Sequence, residues 1–442
     1  MTNFIQKSIK RVAIIGGGPG GIAAARALRN EGGFDIITIF ERSNHTGGTW
    51  YYSPETNPPP PFPSTNALQV DTTLDMKQLH SPIYANLHTN LPHSVMCFQD
   101  VPFPDDTPEF PSHTHVMNYL SQLAKNDNLL PWIRFSTLVE QAVFENGVWK
   151  VSLKNHKKSY TEEFDAVVVA TGHYAVPYVP DFPGLDKLAQ NKKVQLLHSR
   201  DYRQPESFRG KTILVIGGGS SAIDIVRETS AVATKVYQCI RTETELSRQA
   251  VERNPSNVYQ VALINSFNSD KFSSWIELQD NSKLTDVDVI VFGTGYLYSF
   301  PFLPFQKDNL IKTGQKVHHL NQYMFYQKNP TLCFLGLPIR VVPLPLMQRQ
   351  SIVMARYWSG KIPMFPSENT SGTDENDSRL DFIMGVAKEF DYDDRLGAWA
   401  EGWTKADREG WESNHPLTGR LSEKWKGLRK NALGLRREYL GY

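Results

Sequence analysis

The stretch Arg11 to Gly21, RVAIIGGGPGG, restricts what this chain can fold into more than any other part of it. Arg11–Ile15, dominated by Val and Ile, reads as a buried strand. Gly16, Gly18 and Gly21 form a GxGxxG turn, and the apolar run Ile22–Leu28 reads as a helix. The first glycine lets the chain turn, the second lets the backbone approach a pyrophosphate, and the third lets helix and strand pack closely. The helix start adds free N–H groups and the positive end of its dipole. A second strand, Ile36–Phe40, runs into Glu41, 25 residues after Gly16, where a carboxylate can accept hydrogen bonds from a ribose. Together these predict a dinucleotide-binding α/β unit near the N-terminus.

The pattern returns. Lys211–Ile216 reads as a strand, Gly217, Gly219 and Ala222 give GxGxxA, and a helix starts over Ile223–Ser230. The next strand, Lys235–Ile240, ends in Arg241 where the first unit ends in Glu41. A carboxylate there favours a free 2′-hydroxyl and repels phosphate, whereas an arginine can pair with a 2′-phosphate. The contrast assigns NADPH to the second unit and FAD to the first, with Arg248 as a weaker candidate beside Arg241. Two Gly-ended buried strands, DAVVVATG (Asp165–Gly172) and DVDVIVFGTGY (Asp286–Tyr296), each follow one nucleotide unit. Pro177, Pro180 and Pro183 mark a linker between them.

A chain of 442 residues is long enough for two or three domains. The expected fold is α/β with two Rossmann-like dinucleotide-binding domains. A larger FAD domain (1–174 and 295–442) would hold a smaller NADPH domain (175–294) inserted in it.

Lys+Arg 47 against Asp+Glu 46 leaves a formal charge of +1, so no global field points to nucleic acid or an acidic membrane. Cys97, Cys239 and Cys333 lie in neither a CxxC nor a zinc-type spacing, which fits free thiols in a reducing, cytoplasmic setting and no bound metal. The N-terminus has no leader-like apolar core, and no apolar run approaches the ~18 residues of a membrane span. Four consecutive prolines within Asn57–Pro63 predict an extended surface loop. Val116, Tyr119, Leu120 and Leu123 recur with helical spacing; Trp132–Val139, Val148–Leu153 and Pro330–Gly336 read as strands, and Gln348–Trp358 as a helix. The polar stretch Ser367–Ser378 reads as a loop. The basic tail, with Lys424, Lys426, Arg429, Lys430, Arg436 and Arg437 among leucines, reads as a solvated helix closing the fold, with a membrane-surface helix as the alternative. Homo-oligomerisation is left open.

Taken together the motifs resemble the flavin-containing monooxygenase family, most closely its soluble fungal members, from about residue 10 to about residue 360. The resemblance is carried by GGGPGG (Gly16–Gly21), FER (Phe40–Arg42), GGTW (Gly47–Trp50), LHTN (Leu87–Asn90), FPSH (Phe110–His113) and ATGHYAVP (Ala170–Pro177). It continues through HSRDY (His198–Tyr202), GGGSSAID (Gly217–Asp224) and GTGYLYSFPF (Gly293–Phe302). The Phe-x-Gly that precedes the family's identifying histidine is displaced here to Phe182–Gly184. Tyr202-Arg203 also stands where Baeyer–Villiger relatives end in Trp-Pro, which ranks ketone oxygenation below oxygenation of sulfur or nitrogen.

The resemblance implies NADPH delivering hydride to FAD, O₂ forming a C4a-hydroperoxyflavin, and attack on it by a soft S or N nucleophile of a small molecule, thiols included. It places Gly16, Gly18, Gly21, Glu41, Gly48, Trp50 and Ala170 around FAD, with His88, Thr89, Val139 and Gln348 as further contacts. Gly217, Gly219, Ser220, Ser221, Arg241 and Thr294 would hold NADPH. Asn90 would be the active-site amide, donating and accepting beside the flavin without titrating. An N-hydroxylating enzyme, a disulfide reductase and a non-catalytic NADPH-sensing flavoprotein stay as alternatives, the reductase without local support from the widely spaced cysteines.

Overall fold

A computed structural model of the chain describes residues 8–76, 78–241, 254–270, 273–308, 310–364, 370–371, 377–403 and 415–440. Arg248 and most of Ser367–Ser378 lie outside the described residues. The chain divides into two compact units, one taking in Met1–Tyr51, His88–His173 and Ser299–Gly441, the other Tyr52–Leu87 and Tyr174–Tyr298.

At the centre of the first unit, Arg11–Ile15 lies between Ile36–Phe40 and Ala166–Val169, with Ile15 opposite both Phe40 and Val169. Leu332–Phe334 and Ile133–Arg134 extend this parallel set on either side, and short antiparallel strands at Leu320–Asn321 and Phe325–Tyr326 continue it. Ala166–Val169 is fully buried, as its unbroken apolar run requires of a strand covered on both faces. The Ala-rich helix Pro19–Glu31 packs with the helix Pro343–Trp358, and Val116, Tyr119, Leu120 and Leu123 of the helix His113–Asn126 join the same core. Pro343 and Pro345 sit in the first turn, where no N–H donor is needed, so this helix begins before the expected Gln348.

The expected strand Trp132–Val139 is broken. Ile133–Arg134 stays in the parallel sheet, Ser136 takes φ +49°, and the chain resumes at Leu138–Glu145 in an antiparallel meander with Val148–Lys154 and Ser159–Phe164. The N–H groups of Ser136 and Thr137 bond instead to the carbonyls of Ser43 and Glu41, at 2.9 Å each, which turns the chain out of the sheet beside Glu41.

The second unit is built on five parallel strands in the order Val258–Val261, Lys235–Cys239, Thr212–Ile216, Val289–Phe292, Gln195–His198. The helix Ser220–Ser230 follows its central strand. Residues 52–87, expected in the first domain, belong here, so the chain passes between units at Tyr51/Tyr52 and Leu87/His88 as well as at His173/Tyr174 and Tyr298/Ser299.

The cause is a set of long-range bonds. Ser64 and Val179 exchange both backbone hydrogen bonds, Tyr84 donates its hydroxyl to Asp224 at 2.5 Å, and Asn57 pairs with the backbone of His80 through both ends of its amide. The Arg203 guanidinium donates to the carbonyls of Glu55, Ser81, Arg200 and Tyr202, and Arg200 reaches that of Pro58. The proline-rich loop is therefore anchored at both ends. The HSRDY element serves this scaffold too: Tyr202 donates to Glu228 at 2.7 Å, and His198 Nδ1 accepts from the Arg200 N–H at 3.1 Å.

Candidate active site: two nucleotide cradles and the strap that carries Asn90

In the first unit the glycine turn is imposed by neighbours. Gly16 has φ +109°, and a methyl built on it would fall 2.5 Å from the Ala170 oxygen. One built on Gly21 would fall 1.9 Å from the Gly16 oxygen. Gly18 precedes the helix Pro19–Glu31 without any side-chain cap, and no acid stands in the first turn, which leaves the helix start open to an anion.

Glu41 is buried, with Oε2 accepting from the Gly17 N–H at 2.6 Å and Oε1 from the Ser43 N–H at 2.7 Å. An ionised carboxylate has roughly four acceptor positions, so two remain for a ribose while the other two tie the glycine turn to the end of the second strand. Gly48 approaches Gly18 closely, at 2.9 Å from a built methyl to the Gly18 Cα, and Trp50 ends the same short turn against the core. Val139 is buried at the start of the meander, and Ala170 donates its N–H to the Ile15 carbonyl at 2.9 Å.

Gln348 is buried on the helix Pro343–Trp358. Its amide accepts from the Gln99 N–H at 2.8 Å and donates to Asp100 at 2.6 Å, beside the Arg26–Asp100 ion pair. Burial pushes the Asp100 carboxyl up, but Arg26 outweighs it and holds the group below its ordinary value. Each end of the Gln348 amide keeps one further hydrogen-bonding position beyond these two.

The LHTN element forms a strap. His88 pairs with Ser112 in an isolated antiparallel bridge, the Thr89 N–H donates to the Pro111 carbonyl at 2.9 Å, and the His93 N–H donates to that of Glu109 at 2.8 Å. Thr89 is buried and its hydroxyl donates to the Leu91 carbonyl at 2.8 Å, whereas Asn90, next to it, is exposed. No described residue hydrogen-bonds the Asn90 amide.

In the second unit Gly217 has φ +136°, and a methyl on it would meet the Gly293 oxygen at 2.4 Å. Gly219 precedes the helix Ser220–Ser230 with no cap, nothing lies within 4 Å of a built methyl, and no acid stands in the first turn. Ser220 and Ser221 occupy that turn, half-buried and exposed respectively. The half-buried Thr294 donates its hydroxyl to the Tyr178 carbonyl, and the Tyr178 N–H donates to that of Gly295 at 2.8 Å.

Arg241 is exposed, but it is displaced by one position from the alignment expected with Glu41. Ile15 pairs with Phe40 and Ile216 with Cys239, and the Gly16 and Gly217 N–H groups donate to the Phe40 and Cys239 carbonyls at 2.9 Å each. Ile240 therefore stands in the place of Glu41. The exchange puts an apolar residue where the acid was, with Arg241 beyond it.

Helix start and sheet meet closely in each unit. In the first, a methyl built on Gly20 would lie 3.3 Å from the Ala170 Cβ. In the second, Ala222 faces Gly293, and a methyl on Gly293 would lie 2.8 Å from the Ala222 Cβ. Gly293 was not singled out from the sequence; its match to Ala170 in the two Gly-ended strands was the available signal.

The two uncapped cradles, one with a carboxylate at its strand end and one with an exposed arginine just beyond it, define a two-dinucleotide oxidoreductase. FAD and NADPH fit these cradles. The Flavin-binding monooxygenase-like family model matches residues 71–279 and 264–381, and an NAD(P)-binding Rossmann-like domain matches residues 14–71. The chain is 35% identical over 376 residues to flavin-containing monooxygenase FMO GS-OX-like 4 of Arabidopsis thaliana, covering 81% of this chain and 78% of that protein. It is 33% identical over 384 residues to the thiol-specific monooxygenase of Saccharomyces cerevisiae, covering 82% and 81%. The structure of S-allyl-L-cysteine S-oxygenase from Allium sativum superposes with a TM-score of 0.78 at 29% identity, covering 98% of this chain and 94% of that one. The chain belongs to the flavin-binding monooxygenase family. It is an NADPH-dependent flavin monooxygenase, an oxidoreductase whose cofactors are FAD and NADPH.

Among the described residues no group of His, Cys, Asp and Glu is arranged to hold a metal ion, and no helix is long and apolar enough to cross a membrane. Cys97, Cys239 and Cys333 are unpaired. The basic C-terminal helix, Glu423–Leu440, turns two of its arginines inward: Arg429 pairs with Glu389 at 2.9 Å and Arg436 is buried. That arrangement agrees with a helix closing the fold.

Proposed function

We propose that the protein uses NADPH and O₂ to oxygenate the sulfur, and secondarily the nitrogen, of small soft nucleophiles, thiols among them. The bound flavin would supply the oxygen-activating chemistry as a C4a-hydroperoxyflavin. The observation that carries the reading is the exposed Asn90 amide on a strap pinned by hydrogen bonds at Thr89 before it and His93 after it: a polar, non-titrating group held in place yet able to meet a ligand. Two relatives named for thiol and S-oxygenation support sulfur as the acceptor atom.

In this reading Gly16, Gly18, Gly21, Glu41, Gly48, Trp50 and Ala170 hold FAD, with His88, Thr89 and Val139 near it. Gly217, Gly219, Ser220, Ser221 and Arg241 hold NADPH. Thr294 joins the NADPH contacts, and Gln348 the FAD contacts. Three unpaired thiols suit a cytoplasmic location.

A panel of thiols, thioethers and tertiary amines, scored by NADPH consumption and oxygenated product, tests the substrate class. Asn90→Ala should retain FAD and NADPH oxidation but release hydrogen peroxide in place of oxygenated product. Full oxygenation by that variant removes Asn90 from the site.

A further inference from the structure

The peptide that carries Asn90 is gripped from the far end of the chain. Arg436, on the C-terminal helix, is only 4% exposed, and its Nε–H donates to the carbonyl of Thr89 at 3.0 Å across 347 residues of sequence. The Thr89 carbonyl and the Asn90 N–H belong to one planar peptide group, so a bond that fixes the carbonyl also fixes the direction in which Asn90 leaves it. The remaining polar groups of Thr89 are already engaged with Pro111 and Leu91, so the plane is held from one side by the strap and from the other by Arg436.

A second contact from the same helix reinforces the first. The Tyr439 ring lies 5.6 Å from that of Phe110, which is fully buried and precedes the Pro111 and Ser112 that pair with Thr89 and His88. Both strands of the strap therefore meet the C-terminal helix. One helical turn separates Arg436 from Tyr439 and puts them on one face. Toward its other end the helix is tied through Arg429 to Glu389, whose second oxygen accepts the Val342 N–H at 2.5 Å, immediately before the helix Pro343–Trp358.

We infer that Arg436 is a positioning residue for oxygenation, setting the orientation of the Asn90 amide through the Thr89–Asn90 peptide plane, with Tyr439 bracing the opposite strand of the strap. This rests on the reading of Asn90 as the active-site amide. Arg436 touches no reacting atom; its effect passes through one rigid peptide. Displacing an amide that holds a reacting group by a fraction of an ångström lowers the productive fraction of turnovers without removing the cofactor.

The test compares Arg436→Met, Arg436→Lys and Asn90→Ala in the full-length holoenzyme, measuring FAD content, thermal midpoint, NADPH oxidation with saturating substrate, and the ratio of oxygenated product to hydrogen peroxide. Arg436→Met should keep FAD and NADPH oxidation while the product-to-peroxide ratio falls roughly tenfold, as for loss of one charged hydrogen bond acting on geometry. Arg436→Lys, which can still present a cationic donor, should recover part of the ratio. If Arg436→Met lowers the thermal midpoint and FAD content with an unchanged ratio, the residue is structural only and the inference is overturned. If Asn90→Ala shifts the ratio and Arg436→Met does not, the inference fails and the reading of Asn90 stands. An unchanged ratio in Asn90→Ala instead overturns the reading on which both rest.

Discussion

Glu41 does two things at once in the first unit, and the two can be separated. Its carboxylate accepts the Gly17 N–H at 2.6 Å, in buried surroundings, and the Ser43 N–H at 2.7 Å, partly exposed. A hydrogen bond to a charged acceptor contributes roughly 1.5–3 kcal/mol, and a buried N–H left without a partner forfeits the full amount. With the Gly17 bond counted near the middle of that range and the Ser43 bond below it because water can replace the acceptor, Glu41→Ala should destabilise the FAD-free protein by ~3 kcal/mol. Glu41→Gln should cost about 2 kcal/mol, since its one remaining oxygen can serve a single N–H and its amide NH₂ confronts the other.

These amounts are a large part of the roughly 5–15 kcal/mol that a folded domain typically has. A chain of two units need not unfold in one step, so the local measurement is amide hydrogen exchange of the FAD-free protein. Protection should fall at Gly17 and Ser43 in both variants while the strands Thr212–Ile216 and Val289–Phe292 keep theirs. FAD affinity, titrated separately, should fall as well. Unchanged exchange and unchanged stability with weakened FAD would refute the argument, showing that the carboxylate serves the ligand alone.

Two further predictions concern other parts of the molecule. Arg241→Ala should weaken NADPH roughly tenfold, the lower end of the range for a charge-assisted bond because the residue is exposed, and leave NADH nearly unchanged; an equal loss with both cofactors in initial-rate measurements would show that the arginine does not read the phosphate. Asp393 is buried beside Arg349, and burial outweighs the arginine and pushes its carboxyl up to about 6. A carboxyl raised in the folded state binds more protons there than in the unfolded chain between about pH 4 and 6, so this group's contribution to stability falls as pH rises through that window and is constant above it. The stability of Asp393→Asn relative to the parent should therefore climb by up to ~3 kcal/mol between pH 4 and 6, read from urea unfolding at a series of pH values. A flat difference would contradict the raised value.

Both nucleotide cradles were legible because their constraints are local. A left-handed turn next to a strand end admits glycine and little else, and an uncapped helix follows within a few residues, so Gly16 and Gly217 announce themselves in a window of eleven. The parallel core strands were equally visible as unbroken runs of branched apolar residues. What escaped depends on partners far away in sequence. Residues 52–87 read as a loop of the first domain because nothing in them reveals that Arg203 and Asp224 will claim their carbonyls and Tyr84. Arg241 was matched to Glu41 by its place at the end of an apolar run, and only the pairing register shows that Ile240 holds the equivalent site. Gln348 has partners, Gln99 and Asp100, that lie about 250 residues away and that no local pattern reveals. Arg436 looks, in sequence, like any other base on a solvated helix; its burial is a property of the strap it meets.

The meeting of helix start and strand end in the second half also constrains how such a chain can change over generations. There Ala222 carries the methyl group, with Gly293 opposite it. Gly293→Ala would set two methyl carbons 2.8 Å apart, closer than they can stand. Ala222→Gly carries no such clash. A lineage that moves the methyl from helix to strand in the second half must therefore pass through glycine on both sides, and the order of the two mutations is set by geometry before selection on activity has any say.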